Sequence, residues 1–231
     1  MTASTGMAAI MTALASPGSG GLEAVAPRSC AEVLGMTGVA VTALIAGGGQ
    51  ELLWRTDGVS ARLDDLQFTL GQGPTFDVAA SGELVLESDL ADVPWQRWPV
   101  FTPAAQELGV QAVFAVPLQI GAIRLGVLLA HRDVPGPLRA GVLADMTIFA
   151  DAAMDALMGH DAGSPTPWLS RPPSGYRAEI HQATGIISVQ LSVTQADALI
   201  RMRAFAFSER RPLAEVAADI VARTLRFELD P

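Results

Sequence analysis

The chain has 231 residues, half of them hydrophobic, which is enough for one or two domains with real cores. No stretch reaches the ~20 apolar residues of a membrane helix, because Val110 to Ala130 is interrupted by Pro117, Gln119, Gly121 and Arg124. Cys30 stands alone, so no intramolecular disulfide forms, as suits a reducing cytoplasm.

Charge is unevenly spread. The net charge is −9, and all fifteen basic residues are Arg. Residues 1–175 hold 8 Arg against 17 acids (8 − 17 = −9), and residues 176–231 hold 7 against 7 (net 0). The acidic front repels nucleic acid, so any such contact depends on local Arg placement at the back. Guanidinium suits that task, because its donors fork onto phosphate oxygens.

Met1 to Ser16 is small and apolar with no preceding positive charge, which argues against a secretory signal. With the break at Ser16 to Gly21, residues 1–21 read as a flexible tail, either frayed or holding a short helix. Residues 22–158 then alternate between helix and strand signals. Leu22 to Met36 suits a helix interrupted by Pro27. Val39 to Ile45 and Glu51 to Thr56 flank a glycine-rich hairpin loop. Leu63 to Leu70 runs into Gly71-Gln72-Gly73-Pro74, a forced turn. A short helix over Phe76 to Ser81, a strand over Leu84 to Glu87 and a helix over Phe101 to Leu108 follow. Ala112 to Gln119 and Ile123 to His131 read as two apolar strands joined by a tight turn. Pro137 to Met158 reads as a long helix opened by proline, where the missing N–H costs least.

Residues 159–175 contain Pro165, Pro167, Pro172 and Pro173 among glycines and serines. This reads as an extended, semi-stiff linker. Three short amphipathic helices follow in 176–231. The first repeats Ile180, Ala183, Ile187 and Leu191. The second opens at Thr194, a good N-cap with Asp197 three residues on, and carries Ala198, Leu199, Met202 and Ala206. The third opens at Pro212 and carries Leu213, Val216, Ala217, Ile220 and Val221. One stripe per helix predicts a three-helix bundle.

Motifs for chemistry are scarce. The histidines His131, His160 and His181 lack metal-ligand spacing, and no Gly-x-Ser-x-Gly elbow occurs. His131 beside Asp133 reads as a polar residue at a surface strand end and not as a catalytic dyad. Gly71-Gln72-Gly73-Pro74 lacks the Lys-Ser/Thr of phosphate loops and reads as a turn. Phe76, Trp95, Trp98 and Phe114, with Arg97, are candidates for lining a ligand cavity. The plainer reading is that the aromatics fill a core.

Two resemblances tie these observations together. Leu70-Gly71-Gln72-Gly73-Pro74, Arg97-Trp98-Pro99, Ala115-Val116-Pro117-Leu118 and Leu125-Gly126-Val127-Leu128 resemble the GAF domains of actinobacterial regulators. The C-terminal segment resembles the ANTAR domain on Ala183, Gly185, Arg203, Arg211, Leu213 and Val216-Ala217. Thr184 departs from the pattern, since that family often carries a basic residue there. The resemblances imply an α+β chain: a GAF-like antiparallel sheet with flanking helices, then a three-helix ANTAR-like bundle. They imply no enzyme and no fixed cofactor, with room for an unknown small ligand in the GAF-like part. They imply a cytoplasmic RNA-binding regulator acting by transcription antitermination on hairpins of leader transcripts. His181, Gln182, Thr184, Arg203, Arg210 and Arg211 are the expected RNA-contacting residues. A homodimer is expected, with Leu138, Val142, Met146, Phe149, Ala153 and Leu157 as one side of a helix that pairs with its copy or packs on its own sheet. The competing reading is a sensory or dimerisation protein whose bundle binds a protein partner.

Overall fold

The computed structural model describes residues 4–15, 21–45, 49–158 and 176–228. The predicted linker, 159–175, lies outside the described residues, as does His160. The chain divides into two compact units, Met1–Leu44 with Leu52–Trp168 and Ile45–Glu51 with Leu169–Pro231.

The first unit is built on a five-stranded sheet in the order β2-β1-β5-β4-β3. Its strands are β1 (Gly38–Ile45), β2 (Gly49–Arg55), β3 (Val85–Glu87), β4 (Ala112–Ile120) and β5 (Ile123–Arg132). β1 runs antiparallel to β5, and β4 runs antiparallel to both β5 and β3. The helices are α1 (Thr5–Ala15), α2 (Pro27–Leu34), α3 (Gly58–Leu70), α4 (Pro74–Ser81), α5 (Phe101–Glu107) and α6 (Ala140–Met158). The predicted order of elements is present. A 3-10 turn at Gly21–Ala24 precedes α2, and the helical stretch breaks before Pro27, which opens α2. α6 starts at Ala140, three residues after the predicted proline start.

Helices cover both faces of the sheet. Phe114, Val116, Leu118, Leu128, Ala130, Val39 and Val41 share one core with α1, α2 and α6. Val113, Ala115, Val127 and Leu129 share a second core with Leu63, Val78, Trp98 and Phe101. The alternation of side chains along each strand makes this sorting. Continuous apolar runs in β4 and β5 are what a sheet buried on both faces needs.

The expectation of a flexible tail is corrected at Thr5–Ala15, which is helical. Met7 and Ile10 are buried in the first core, α1 packs on α6, and the Ser4 amide donates to buried Asp145 at 3.0 Å. The physical reason is α6 itself. Its sequence is apolar nearly all round, so the sheet alone cannot bury it. The stripe considered for pairing with a second copy is spent within the unit. Met146, Phe149, Ala153 and Leu157 are core residues, with Leu138 and Val142 packed against them.

The second unit holds α7 (Tyr176–Leu191), α8 (Gln195–Ser208) and α9 (Leu213–Val221). Ile180, Ala183, Ile187 and Leu191 are buried, as are Ala198, Leu199, Met202 and Ala206 and then Leu213, Val216, Ala217 and Ile220. These are the predicted stripes except for Val221, which is only partly buried. Thr194 caps α8 by accepting from the Asp197 amide at 3.1 Å.

Candidate functional site

In the first unit the five cavity candidates do not converge. Phe114 belongs to the core under α6, and Trp98 to the core under α3, α4 and α5, on the opposite face of the sheet. β4 alternates its side chains, so Phe114 cannot share a cavity with Trp98. Trp98 packs edge-on to Phe101 at 5.5 Å. Trp95 is 73% exposed, and Phe76 is partly buried. Arg97 lies on the outside, with its guanidinium 4.4 Å from the Trp98 ring centroid. It donates to Asp77 at 2.9 Å and also pairs with Glu87. Under α3–α5, Trp98 Nε1 and Thr75 Oγ1 are buried with no hydrogen-bond partner among the described residues.

His131 is not at the surface. It is 2% exposed and sits beneath the start of α3, because an odd-numbered residue of β5 points to that face. Its Nε2 lies 3.2 Å from Ser60 Oγ and 3.9 Å from Asp57 Oδ1. Asp57 caps α3 by accepting from the Ser60 amide at 2.7 Å. Gly38, paired with His131 across the ladder, leaves the room for this cluster. A Cβ there would collide with His131 Nε2 and lie 2.5 Å from Ser60 Oγ. The residue types suggest a catalytic triad, but the geometry is wrong. A triad needs serine and acid on different ring nitrogens, whereas here both face Nε2. Nδ1 is buried without a partner among the described residues. Burial holds the His131 pKa below its ordinary value, against the opposing pull of Asp57 and Asp133. No group of three or more metal-binding side chains occurs among the described residues.

In the second unit the six predicted contact residues divide. Thr184 is buried and donates to the Ile180 carbonyl at 2.7 Å. It lies four residues after Ile180 and beside Ala183, inside the apolar stripe, so its side chain is not on the surface. Gln182 is exposed and His181 partly buried. Burial, then the Arg177 charge, lowers the His181 pKa.

Arg203, Arg210 and Arg211 gather on α8 and the turn that follows it. Arg203 lies between the buried and outer faces of α8, and burial lowers its pKa to about 10, so it stays charged at neutral pH. Arg210 is exposed, with φ of 53°. Arg211 is held by Asp219 at 2.7 Å and by Glu215 at 3.9 Å. Its hydrogen bond to Asp219 raises its pKa. Arg201 is also exposed on α8 and was not among the expected contacts, because an isolated exposed Arg carries no pattern. Residues 195–211 hold four Arg against Asp197 and Glu209, a local net charge of 4 − 2 = +2 in a chain of −9.

The ANTAR domain family model matches residues 175–221, the span of these three helices. The chain carries an ANTAR domain. The ANTAR helices keep Ala183, Val216 and Ala217 buried. Ahead of the ANTAR domain stands a unit similar to the GAF domain of an Acinetobacter phosphoenolpyruvate-protein phosphotransferase. That similarity has a TM-score of 0.51 at 12% identity and covers 65% of this chain and 89% of that one. The GAF domain of a Coxiella burnetii phosphoenolpyruvate-protein phosphotransferase is 17% identical, with a TM-score of 0.49, and the match covers 65% of this chain and 93% of that one. The first likeness assigns the fold alone, so the architecture is a GAF fold followed by an ANTAR domain. No curated protein matches the chain. No described helix is long and apolar enough to cross a membrane.

Proposed function

We propose that this protein is a non-enzymatic, signal-responsive regulator. Its ANTAR domain binds RNA hairpins of nascent leader transcripts in the cytoplasm and keeps terminators from forming. The GAF-fold unit is the sensing part. The observation that carries the reading is the ANTAR match over the bundle. The local +2 charge of residues 195–211 supports it, because a polyanion is drawn to local fields as well as to net charge. Arg201, Arg203 and Arg210 supply the phosphate contacts, with Gln182 on α7 as a neutral donor. Arg211, already paired with Asp219, mainly fixes the turn into α9. Trp98 Nε1 and Thr75 Oγ1 support a small ligand under α3–α5, since buried polar groups seek partners. Two copies acting together remain part of the proposal, and sedimentation measures that directly.

The test is binding of the full chain to a pool of leader transcripts at two salt concentrations, with terminator read-through measured alongside. Salt-sensitive binding with increased read-through is expected, both weakened by Arg201→Gln/Arg203→Gln. Each lost contact should reduce the log–log salt slope by roughly 0.7–0.9. A second reading rests on Val189 (81% exposed) and Ile200 (59%), apolar residues facing solvent on α7 and α8. In that reading the bundle docks onto a protein. A folded chain that binds no transcript at either salt concentration would decide for it.

A further inference from the structure

The first turn of α3 is held to the sheet through polar contacts. The Ser60 hydroxyl lies 3.2 Å from His131 Nε2 and 3.4 Å from Thr56 Oγ1, and Thr56 Oγ1 accepts from the Val39 amide at 2.8 Å. These contacts tie α3, the residue after β2 and the start of β1 to one buried ring. Nδ1 of that ring has no partner among the described residues. Nε2 faces Asp57 Oδ1 at 3.9 Å, and the same oxygen accepts from the Ser60 amide at 2.7 Å as the cap of α3. The His131 side chain is 2% exposed and that of Asp57 35%. Asp57 also lines a groove of about 490 Å³ formed by residues 53–58, so it stands between solvent and the ring.

The other acids around the ring are engaged. Asp133, two residues along β5, accepts from Thr37 Oγ1 at 2.8 Å. Asp64, one turn along α3 from Ser60, accepts from Thr42 Oγ1 at 2.6 Å. The ladder partners of His131, Gly38 on β1 and Val113 on β4, carry no charge. A neutral ring suits this site, because only one of its nitrogens then carries a proton. The imidazolium has two N–H donors. Its Nε2–H competes with the Ser60 amide for Asp57 Oδ1, and its Nδ1–H stays buried without an acceptor, which is costly. Both are satisfied once the start of α3 lifts and water reaches the ring.

We propose that proton uptake by His131 opens the first turn of α3, so that the proton is a signal the GAF-fold unit receives. The inference rests on the reading of that unit as the sensing part and names what it senses. Its direction follows from linkage. In the closed form burial holds the ring below its ordinary 6.5, against the pull of Asp57 and Asp133. The opened ring, in water, returns to about 6.5. Between the closed-form value and 6.5 the open form binds more protons, so each pH unit downward favours opening by up to about tenfold. Above 6.5 both forms are neutral and the opening does not respond to pH.

The test is native-state hydrogen exchange by NMR on the full chain between pH 7.5 and 5.5, read as protection factors, with titration of the His131 ring alongside. The Val39, Ser60 and Ala61 amides should lose protection by up to about tenfold between pH 6.5 and 5.5. That loss should be insensitive to low denaturant, as a local opening is and global unfolding is not. His131→Asn should abolish the pH response. Protection that stays constant across the range, that falls only through denaturant-sensitive unfolding, or that falls equally in His131→Asn overturns the inference. Should that variant not fold, the wild-type ring decides, since a ring titrating at or above its ordinary value is not opposed by the closed form and overturns it too. Terminator read-through at the two ends of the pH range tests the underlying reading separately. Read-through that responds to pH in wild type and not in His131→Asn supports both. Opening of α3 with read-through unmoved leaves the His131 opening standing and overturns the role of the unit as the sensing part.

Discussion

At the scale of single residues, the cluster under α3 gives the sharpest expectation. His131 is buried in its neutral form, with its pKa below the ordinary 6.5. In the unfolded chain the ring takes up a proton near its ordinary value. The unfolded state therefore binds more protons between the folded pKa and 6.5, and stability rises with pH across that window. His131 contributes fully above pH 6.5, and that contribution is lost as pH falls through the folded value. The thermal midpoint of the first unit should drop as pH is lowered from 7.5 to 5.5. His131→Asn, which removes the titrating ring, should flatten that drop. An unchanged slope in the variant would rule out His131 as its source. Gly38→Ala, at the same cluster, should destabilise the unit by more than the usual ~1 kcal/mol of an average substitution, because its methyl meets His131 and Ser60.

At the scale of elements, α1 is the part whose role is least evident from its own chemistry. It has no charged residue, yet it packs on the turn at Gly21–Ala24, on α2 and on α6, and Met7 is fully buried. Replacing Met7 and Ile10 together by Ala opens two voids in the core that α1 shares with α6. Large-to-small core changes cost about 2–5 kcal/mol each, so loss of several kcal/mol is expected in denaturant titration. A stability equal to wild type would mean that α1 does not cover α6 in solution. α8 has two faces of different chemistry. Its inner face builds the bundle through Ala198, Leu199, Met202 and Ala206, and its outer face carries exposed Arg201, so Arg201→Gln should leave folding unchanged while testing the proposed RNA contact.

At the scale of the molecule, two compact units each hold their own core. The lone thiol offers a way to follow one of them. Cys30 lies in the first unit, fully buried, and burial pushes its pKa up to about 12. A thiol of this kind does not react until its unit opens. Trp54 and Trp98 belong to the same unit. Thiol labelling and tryptophan fluorescence should therefore follow one transition in denaturant. Far-UV circular dichroism, which also sees α7–α9, should show a second component. A single transition coincident across all three probes would show that the units unfold as one. Charge is also a property of the whole chain. At −9 the whole chain repels a polyanion at long range, so the proposed RNA binding calls for short-range contacts such as those proposed on α8.

Much of this molecule is legible in the sequence because periodicity reports burial. The strands of the hairpins, the stripes of α7, α8 and α9, and the Thr194 cap follow from local spacing and capping chemistry alone. Motif spacing was also enough to expect a GAF-like sheet before an ANTAR bundle. The missed features share one cause: each depends on which residues meet across long chain separations. Thr184 reads as a surface residue by type, but its helical angle puts it among Ile180, Ala183 and Ile187. Phe114 and Trp98 read as one aromatic group, but the pleat sends Phe114 to the face opposite Trp98. His131 reads as a polar strand end, but α3 closes over it. The tail reads as flexible because much of the apolar surface that covers its residues lies on α6, more than a hundred residues later. By itself the sequence determined the elements after the N-terminal tail, their order, the two-part architecture and the local positive charge of α8, all set by short-range spacing and composition. Only the tertiary structure decided which face each side chain took, because burial depends on neighbours that local propensity does not specify.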